Sequence, residues 1–238
     1  MTVNLATELR SGTKKAHTMA ENVGFVKCFL KGVVEKRSYR KLASSLYFVY
    51  SEMEEQLQRH CRHPALSPIY FPLLYRRSSL EKDLAYYYGT DWQAAIAPSE
   101  GATAYVERIR EVAASEPELL IAHAYTRYLG DLSGGQILKG IAQRAMNLNG
   151  GEGTAFYEFE DIADETEFKV LYRQRLNELP VDRAMAERIV AEANAAFEMN
   201  MRLFQELEGS LVKAIGQLLF RTLTRRRERG STGLAAAE

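Results

Sequence analysis

Apolar side chains spaced three and four residues apart constrain the fold of this chain more than any other feature. After Ser38 the residues with this spacing are Tyr39, Leu42, Leu46, Val49, Tyr50, Met53 and Leu57. Such spacing places side chains on one face of an amphipathic helix, whereas a strand requires strict alternation. The sequence contains no sustained alternating run bounded by Asn-Gly or Asp-Gly turns. It therefore predicts an all-α fold, and because no linker or internal repeat divides it, a single domain.

Capping residues and prolines predict where the other helices begin. Ser and Asp side chains accept backbone N–H groups at helix N-termini, and proline is tolerated in the first turn. Helices are expected to begin after Ser78 (in a capping box with Glu81), Ser99, Pro117, Asp164 (with Glu167) and Asp182. The first four are expected to end near Gly89, Ala114, Leu148 and Leu179.

Charge and cysteine content exclude several classes of protein. The chain has 31 Lys and Arg against 31 Asp and Glu, so no global field attracts nucleic acid or a membrane. Its two cysteines, Cys28 and Cys61, form no C-x-x-C pair and suit a reducing compartment. The apolar run at 211–220 is shorter than the roughly 20 residues of a membrane span. We expect a cytoplasmic protein without signal peptide or membrane anchor, with a helical domain over 1–222 and a disordered polar tail over 223–238.

Three glycines, Gly130, Gly134 and Gly135, interrupt the helix predicted after Pro117. Each costs roughly 1 kcal/mol relative to alanine, so together they give up about 3 kcal/mol of helix stability. Gly130 and Gly134, one turn apart, leave a strip of backbone without side chains that a flat or bulky group could approach. Close helix packing of the small-xxx-small kind, or a local kink, is the alternative explanation.

The first predicted helix carries a polar stripe at four, three and four spacing: Arg10, Lys14, His17 and Glu21. Neutral imidazole is the commonest metal ligand in proteins, and a carboxylate one turn away can fix its tautomer. His17 is therefore a candidate ligand supported by Glu21. The alternative is an ordinary solvated charged face.

Two later helices add further candidates. Lys169 and Arg173 are four residues apart and lie off the apolar face of their helix, either as anion-binding cations or as a solvated pair. Phe197 suits a core position as well as a cofactor contact, and a buried Asn200 would need hydrogen-bond partners. An imidazole, a bare glycine backbone and cations for carboxylates together suit a haem, which has two flat faces and two propionates.

The sequence closely resembles the haem (heme) oxygenase family. The resemblance covers Leu5 to Leu211, and four stretches carry it: HTMAEN (17–22), SLYFVYSEMEE (45–55), IYFP (69–72) and ELLIAHAYTRYLGDLSGGQILKGIAQ (118–143). It implies a multi-helical fold in which haem b lies between a proximal helix and a kinked distal helix. The implied reaction converts haem, O2 and reducing equivalents to biliverdin IX-alpha, CO and Fe2+, with haem as both prosthetic group and substrate. The polar C-terminus resembles the soluble enzymes of photosynthetic microbes, which implies ferredoxin or a similar electron donor and a downstream bilin reductase as partners.

The resemblance also assigns roles to individual residues. His17 is implied as the iron ligand, supported by Glu21, and the backbone at Gly130 and Gly134 as the wall of the opposite face. The pocket lining is implied to include Tyr125 and Phe197, and the propionate ligands to be Arg10, Lys14, Lys169 and Arg173. Asp131 is implied to hold a water and deliver a proton within a water-bridged network with Arg127, Tyr50 and Asn200.

Two other classes of protein remain to be weighed. A non-catalytic haem-binding or haem-trafficking protein would carry the same haem ligands but would not consume the haem. A helical di-iron carboxylate oxidase would require paired Glu-x-x-His motifs, and the sequence has none. The remaining histidines, His60, His63 and His123, are assigned structural roles.

Overall fold

A computed structural model of the chain describes the backbone of residues 3–230 and the side chains of residues 3–208. Ten α-helices are described: α1 Leu5–Gly12, α2 Lys14–Glu21, α3 Gly24–Leu30, α4 Lys36–Arg59, α5 Arg77–Tyr88, α6 Trp92–Ala95, α7 Glu100–Ser115, α8 Leu120–Met146, α9 Glu165–Asn177 and α10 Arg183–Gly230. Short 3-10 helices cover Ser67–Ile69, Pro72–Leu74, Pro117–Leu119 and Ala155–Tyr157. The described residues contain no strand, which confirms the all-α prediction.

Local capping residues start three of the helices as predicted. Their side-chain oxygens accept backbone N–H groups, as expected for N-cap residues. The acceptors are Ser99 for Ala102 at 3.2 Å, Asp164 for Thr166 and Glu167 at 2.7 and 3.0 Å, and Asp182 for Met185 at 2.8 Å. Pro117 opens a 3-10 turn that leads into α8.

The capping box predicted at the start of α5 is wrong. The helix begins at Arg77, one residue before Ser78, and Glu81 instead accepts a hydrogen bond from the Arg77 side chain at 3.1 Å. The N–H groups of Arg77 and of the residue before it donate to the carboxylate of Glu54, at 3.2 and 2.5 Å. The cap therefore comes from α4. The predicted end at Gly89 is confirmed by its positive φ of +88°.

The first predicted helix is divided at Thr13 into α1 and α2. Thr13 donates its hydroxyl to the carbonyl of Leu9 at 2.7 Å, a bond that often bends a helix. Backbone bonds nevertheless continue across the division, from Thr13 N–H to Leu9 and from His17 N–H to Thr13. The predicted stripe therefore spans two short helices, with Arg10 on the first.

The long helix α10 organises the molecule. It packs against α1, α2, α3, α4, α7 and α8, while α4 packs against α5 and α7. Burying each leucine or isoleucine of this core contributes roughly 1.5–3 kcal/mol. Fully buried members include Leu5, Leu9, Leu80, Leu84, Ile109, Leu120, Ile121 and Ile189. Consequently α10 contacts both α2, which carries His17, and α8, which carries the glycines.

The polar tail predicted over residues 223–238 lies partly inside and partly outside the described backbone. The α10 backbone is helical as far as Gly230, which includes residues 223–230, and residues 231–238 lie outside the described part of the chain. The domain boundary at residue 222 stays a prediction. No described helix combines the length and the apolar composition that crossing a membrane requires. Cys28 and Cys61 are free thiols.

Candidate functional site

His17 lies on α2 with its side chain 57% exposed. Its Nδ1 is 3.7 Å from Oε1 of Glu21, one turn further along the helix. Its ring meets the ring of Phe197 edge-on, with centroids 5.7 Å apart and planes at 74°. Among the described side chains Nε2 has no hydrogen-bond partner, so this nitrogen is available to a ligand. The placement suits an axial ligand whose other nitrogen faces a carboxylate.

The three glycines that the sequence singled out in α8, Gly130, Gly134 and Gly135, divide into two kinds. A Cβ built on Gly130 or on Gly134 has no atom within 4 Å, whereas one built on Gly135 lies 3.4 Å from Cδ1 of Tyr157. The packing explanation therefore holds for Gly135 alone. The helix runs through all three glycines without a break. One turn after Gly134, Ile137 is 66% exposed and extends the open face with apolar surface.

Tyr50, Arg127, Asp131 and Asn200 form one hydrogen-bonded cluster. The Tyr50 hydroxyl donates to the Asp131 carboxylate and accepts from Arg127 Nε at 2.9 Å. Arg127 Nη1 donates to Asn200 Oδ1 at 2.5 Å, and Arg127 Nη2 lies 3.9 Å from Asp131 Oδ1. These four contacts join the side chains directly, and the part played by water in the network stays a prediction. The cluster joins α4, α8 and α10 beside Gly130.

Burial shapes the electrostatics of this cluster. It raises the pKa of Asp131, while the charge of Arg127 and the hydrogen bond from Tyr50 oppose the rise. Burial also raises the pKa of Tyr50 well above its ordinary value, so the hydroxyl remains a neutral donor. Burial alone would lower the pKa of Arg127, but Tyr50 and Asp131 raise it overall. The cluster thus holds a fixed cation beside a carboxyl group that binds a proton more tightly than usual.

Predicted cations gather at one edge of α8. Lys169 Nζ donates to the carbonyl of Leu132 at 3.3 Å, and Arg173 donates to the Lys169 carbonyl at 3.4 Å. Burial raises the pKa of Tyr125, and the nearby charges of Arg173 and Arg10 oppose that rise. These contacts bring residues of α1, α8 and α9 together.

Lys14, the fourth predicted cation, is exposed on α2 one turn before His17. Within the described side chains, none of the four forms a salt bridge with a carboxylate: Arg10, Lys14, Lys169 and Arg173. Their charges are therefore free to bind an anionic ligand at the rim.

Sequence reasoning missed three contributors to the site. The Thr13 side chain, at the junction of α1 and α2, opposes the rise in the pKa of Tyr125. Ile137 could have been found, because it lies three residues after Gly134 on the same face. Phe156 supports Tyr50 edge-on, with ring centroids 5.4 Å apart, and no local pattern indicates this contact.

The other histidines lie apart from this arrangement. His123 is fully buried on α8 and its Nε2 is 3.1 Å from Glu192, while His63 Nε2 is 3.5 Å from Glu118. The sequence indicated neither carboxylate partner. In the described part of the chain no three His, Cys, Asp or Glu side chains gather as a metal site would require.

Comparison with known proteins decides the family. A family model described as "Heme oxygenase" matches residues 3–206. The chain belongs to the haem oxygenase family. It is 67% identical over 238 residues to "Heme oxygenase 1" of Nostoc sp. and 66% identical over 240 residues to "Heme oxygenase 1" of Synechocystis sp., covering 100% of each chain in both cases.

Solved structures of haem oxygenases share the fold. The crystal structure of heme oxygenase-1 from the cyanobacterium Synechocystis sp. in complex with heme has a TM-score of 0.91 and 66% identity, covering 93% of this chain and 100% of that one. Heme oxygenase-2 from Synechocystis sp. in complex with heme and NO has a TM-score of 0.89 and 51% identity, covering 94% of this chain and 93% of that one.

The residues of this chain fit a haem. Among the described side chains, Nε2 of His17 has no hydrogen-bond partner and the four predicted cations have no carboxylate partner, while the backbone at Gly130 and Gly134 faces open space. These features suit a macrocycle with two flat faces and two propionates.

Proposed function

We propose that this chain opens the haem ring oxidatively, consuming O2 and reducing equivalents and yielding biliverdin IX-alpha, CO and Fe2+. The observation that carries the proposal is the open space in front of Gly130 and Gly134. Bound haem supplies the iron that activates O2 and also the ring that is opened, so it is both prosthetic group and substrate. In α8, glycines that lower helix stability lie next to Asp131, a carboxyl group that can hold a proton. A proton donor is needed for oxidative ring opening but not for storage of haem, so this arrangement suits the reaction better.

We propose that His17 is the single protein ligand of the iron, through Nε2. Two contacts support this role. Glu21 lies near Nδ1, where it favours the tautomer with the proton on that nitrogen, and the edge of Phe197 limits rotation of the ring. A neutral imidazole donates less electron density than a thiolate, which suits attack on the ring rather than early O–O cleavage.

We propose that Asp131 holds a water and transfers a proton to the reacting oxygen. A carboxylate can accept about four hydrogen bonds, and Tyr50 occupies one position. Tyr50 and Arg127 orient the carboxyl group, and Asn200 fixes Arg127 from α10. Asp131 itself would remain beside the reacting atoms without occupying their space.

We propose that Arg10, Lys14, Lys169 and Arg173 bind the two propionates and so fix the rotation of the haem in its plane. That rotation decides which meso carbon faces the bare turn at Gly130 and Gly134. We expect the alpha carbon, and loss of the cations should alter this choice before it abolishes turnover.

We infer that ferredoxin or a similar protein supplies the electrons and that a bilin reductase takes up the product. This inference follows from the resemblance of the C-terminus to the soluble enzymes of photosynthetic microbes, and the chain is 66% identical to heme oxygenase 1 of the cyanobacterium Synechocystis sp.. Two free thiols support a reducing compartment, and we infer the cytoplasm.

The test is an anaerobic titration of the purified chain with haem, followed by air and reduced ferredoxin or ascorbate. We expect a one-to-one complex whose Soret band then disappears as a bile pigment forms. His17→Ala serves as the control for ligation. A stable haem spectrum under air and reductant would identify a non-catalytic haem-binding protein instead.

A further inference from the structure

The part of α8 beyond the glycines needs support from outside the helix. After Gly135 only Ala142 and Met146 of α8 are buried. The glycines before this part lower its helix stability further. Its polar side chains bind the segment 150–159, which we call the bracket. The bonds are Gln136 Nε2 to the Tyr157 carbonyl at 3.1 Å, Lys139 Nζ to Glu158 at 2.7 Å and Gln143 Nε2 to the Gly150 carbonyl at 2.7 Å.

On its other side the bracket is fixed to α5, chiefly by Asp83. This side chain is 1% exposed, and its two oxygens accept the N–H groups of Ala155 and Phe156 at 2.7 and 2.9 Å. Tyr87 adds a hydrogen bond to the Gly153 carbonyl at 2.9 Å. A Cβ on Gly153 would lie 2.7 Å from the Tyr87 hydroxyl oxygen, so a larger residue there would displace the Tyr87 side chain, and the φ of +72° also favours glycine.

The bracket contacts the candidate site at two points. The Phe156 ring supports Tyr50, the residue that donates a hydrogen bond to Asp131. The Tyr157 ring packs against Gly135, in the stretch of α8 from Gly130 to Gly135 that we call the glycine turn. A displacement of the bracket would therefore reach both the Tyr50 hydroxyl, which binds the Asp131 carboxyl group, and the backbone of α8 at Gly135.

We propose that Asp83 is a positioning residue: by fixing the backbone of Ala155 and Phe156 it sets the position of Tyr50 and of the glycine turn. The inference deepens the proposed function, on which its catalytic part rests. Asp83 lies behind the bracket and touches none of the predicted haem contacts. Its two carboxylate oxygens match two adjacent N–H groups, a geometry that an amide cannot reproduce because its nitrogen cannot accept.

The test replaces Asp83 by asparagine and compares three measurements. In the ligand-free protein, hydrogen exchange at the amides of Ala155 and Phe156 should accelerate on the order of tenfold as one N–H loses its acceptor. The pKa of Asp131, followed by carboxyl carbon NMR, should rise because the opposing hydrogen bond from Tyr50 weakens. In the haem complex, kcat should fall and the ratio of bilin isomers should change.

Two controls separate positioning from general destabilisation. Asp182→Asn makes the same chemical change at an exposed carboxylate that accepts one N–H of α10, at 2.8 Å. Ile109→Val removes one methyl group from the buried face of α7 and lowers stability without touching the bracket. Neither should alter exchange at the bracket or the isomer ratio. If Asp83→Asn does not fold, Tyr87→Phe removes the Gly153 bond alone and should give the same changes at smaller size.

Unchanged exchange at Ala155 and Phe156 would overturn the fixing role of Asp83. Faster exchange with an unaltered Asp131 pKa would overturn the positioning role, because the bracket would then move without moving Tyr50. If the unsubstituted chain binds haem but does not open it, the proposed function fails, while the two ligand-free measurements still decide the role of Asp83.

Discussion

Replacing Gly130 by alanine should change the stability and the function of the protein in opposite directions. In the ligand-free protein the added Cβ meets no atom within 4 Å, and α8 is continuous at this position. The substitution therefore gains helix propensity without a clash. We expect the free energy of unfolding to rise by about 1 kcal/mol and the melting temperature by about 2–4 °C.

The same methyl group would stand in the space that we assign to the haem face. Overpacking of this kind costs about 1–3 kcal/mol, which corresponds to a haem dissociation constant roughly 5- to 150-fold larger. Gly135→Ala is the matched control. Its Cβ would lie 3.4 Å from Tyr157 in ordinary contact, so it gains the same propensity without facing the haem.

Urea unfolding without haem and absorbance titration with haem measure the two effects. Haem should also stabilise Gly130→Ala less than the unsubstituted chain in thermal unfolding, because a ligand stabilises in proportion to its affinity. A loss of stability in the ligand-free variant would show that the space is not open. A haem affinity equal to that of Gly135→Ala would show that this backbone does not meet the ligand.

Three further substitutions test other parts of the site. His17→Ala should keep the fold, because the side chain is 57% exposed, but should lose the native Soret spectrum of the haem complex. Added imidazole should restore that spectrum. An unaltered spectrum in the variant would exclude His17 as the ligand. Tyr50→Phe should leave haem affinity within a factor of about two but slow bile pigment formation roughly tenfold. The reason is that Asp131 loses a hydrogen-bond donor and Arg127 loses an acceptor. An undiminished rate would show that the Tyr50 hydroxyl takes no part in the mechanism. Glu54→Gln concerns pH. Burial raises the pKa of Glu54 from 4.5 to about 7, so its contribution to stability is complete below pH 4.5 and lost as the pH rises through 7. As the pH rises from 4.5 to 8, the free energy of unfolding of the variant, measured in urea, should increase relative to that of the unsubstituted chain by up to about 3 kcal/mol. Parallel profiles of unfolding free energy against pH would contradict the raised pKa.

Helix boundaries were predictable where the capping group is close in sequence. Ser99, Asp164 and Asp182 each bond to N–H groups two or three residues ahead. The start of α5 was not predictable, because its cap, Glu54, lies 22 residues before Arg76 on another helix. Local patterns include only neighbours along the chain, and the buried carboxylate of Glu54 belongs to the tertiary structure.

The candidate site shows the same division. Four-residue spacing is enough to place Arg127 and Asp131 on neighbouring turns of one helix. It could not show that Tyr50 bonds to Asp131 across 81 positions, or Asn200 to Arg127 across 73. These partners were named from the family resemblance alone. Nor could spacing tell the open glycines from Gly135, because the difference is made by Tyr157 in a distant 3-10 helix.

One turn of α10 contacts two residues that we assign to opposite sides of the haem, His17 and Arg127. The Phe197 ring packs edge-on against the ring of His17. Asn200, three positions further along α10, accepts a hydrogen bond from the Arg127 side chain. Because a helix turn is rigid, rotation or sliding of α10 would displace both His17, the proposed iron ligand, and Arg127, the cation beside Asp131. A substitution on the face of α10 that points away from both residues would then change two properties together. One is the spectrum that reports iron ligation by His17, and the other is the rate of proton delivery through Asp131.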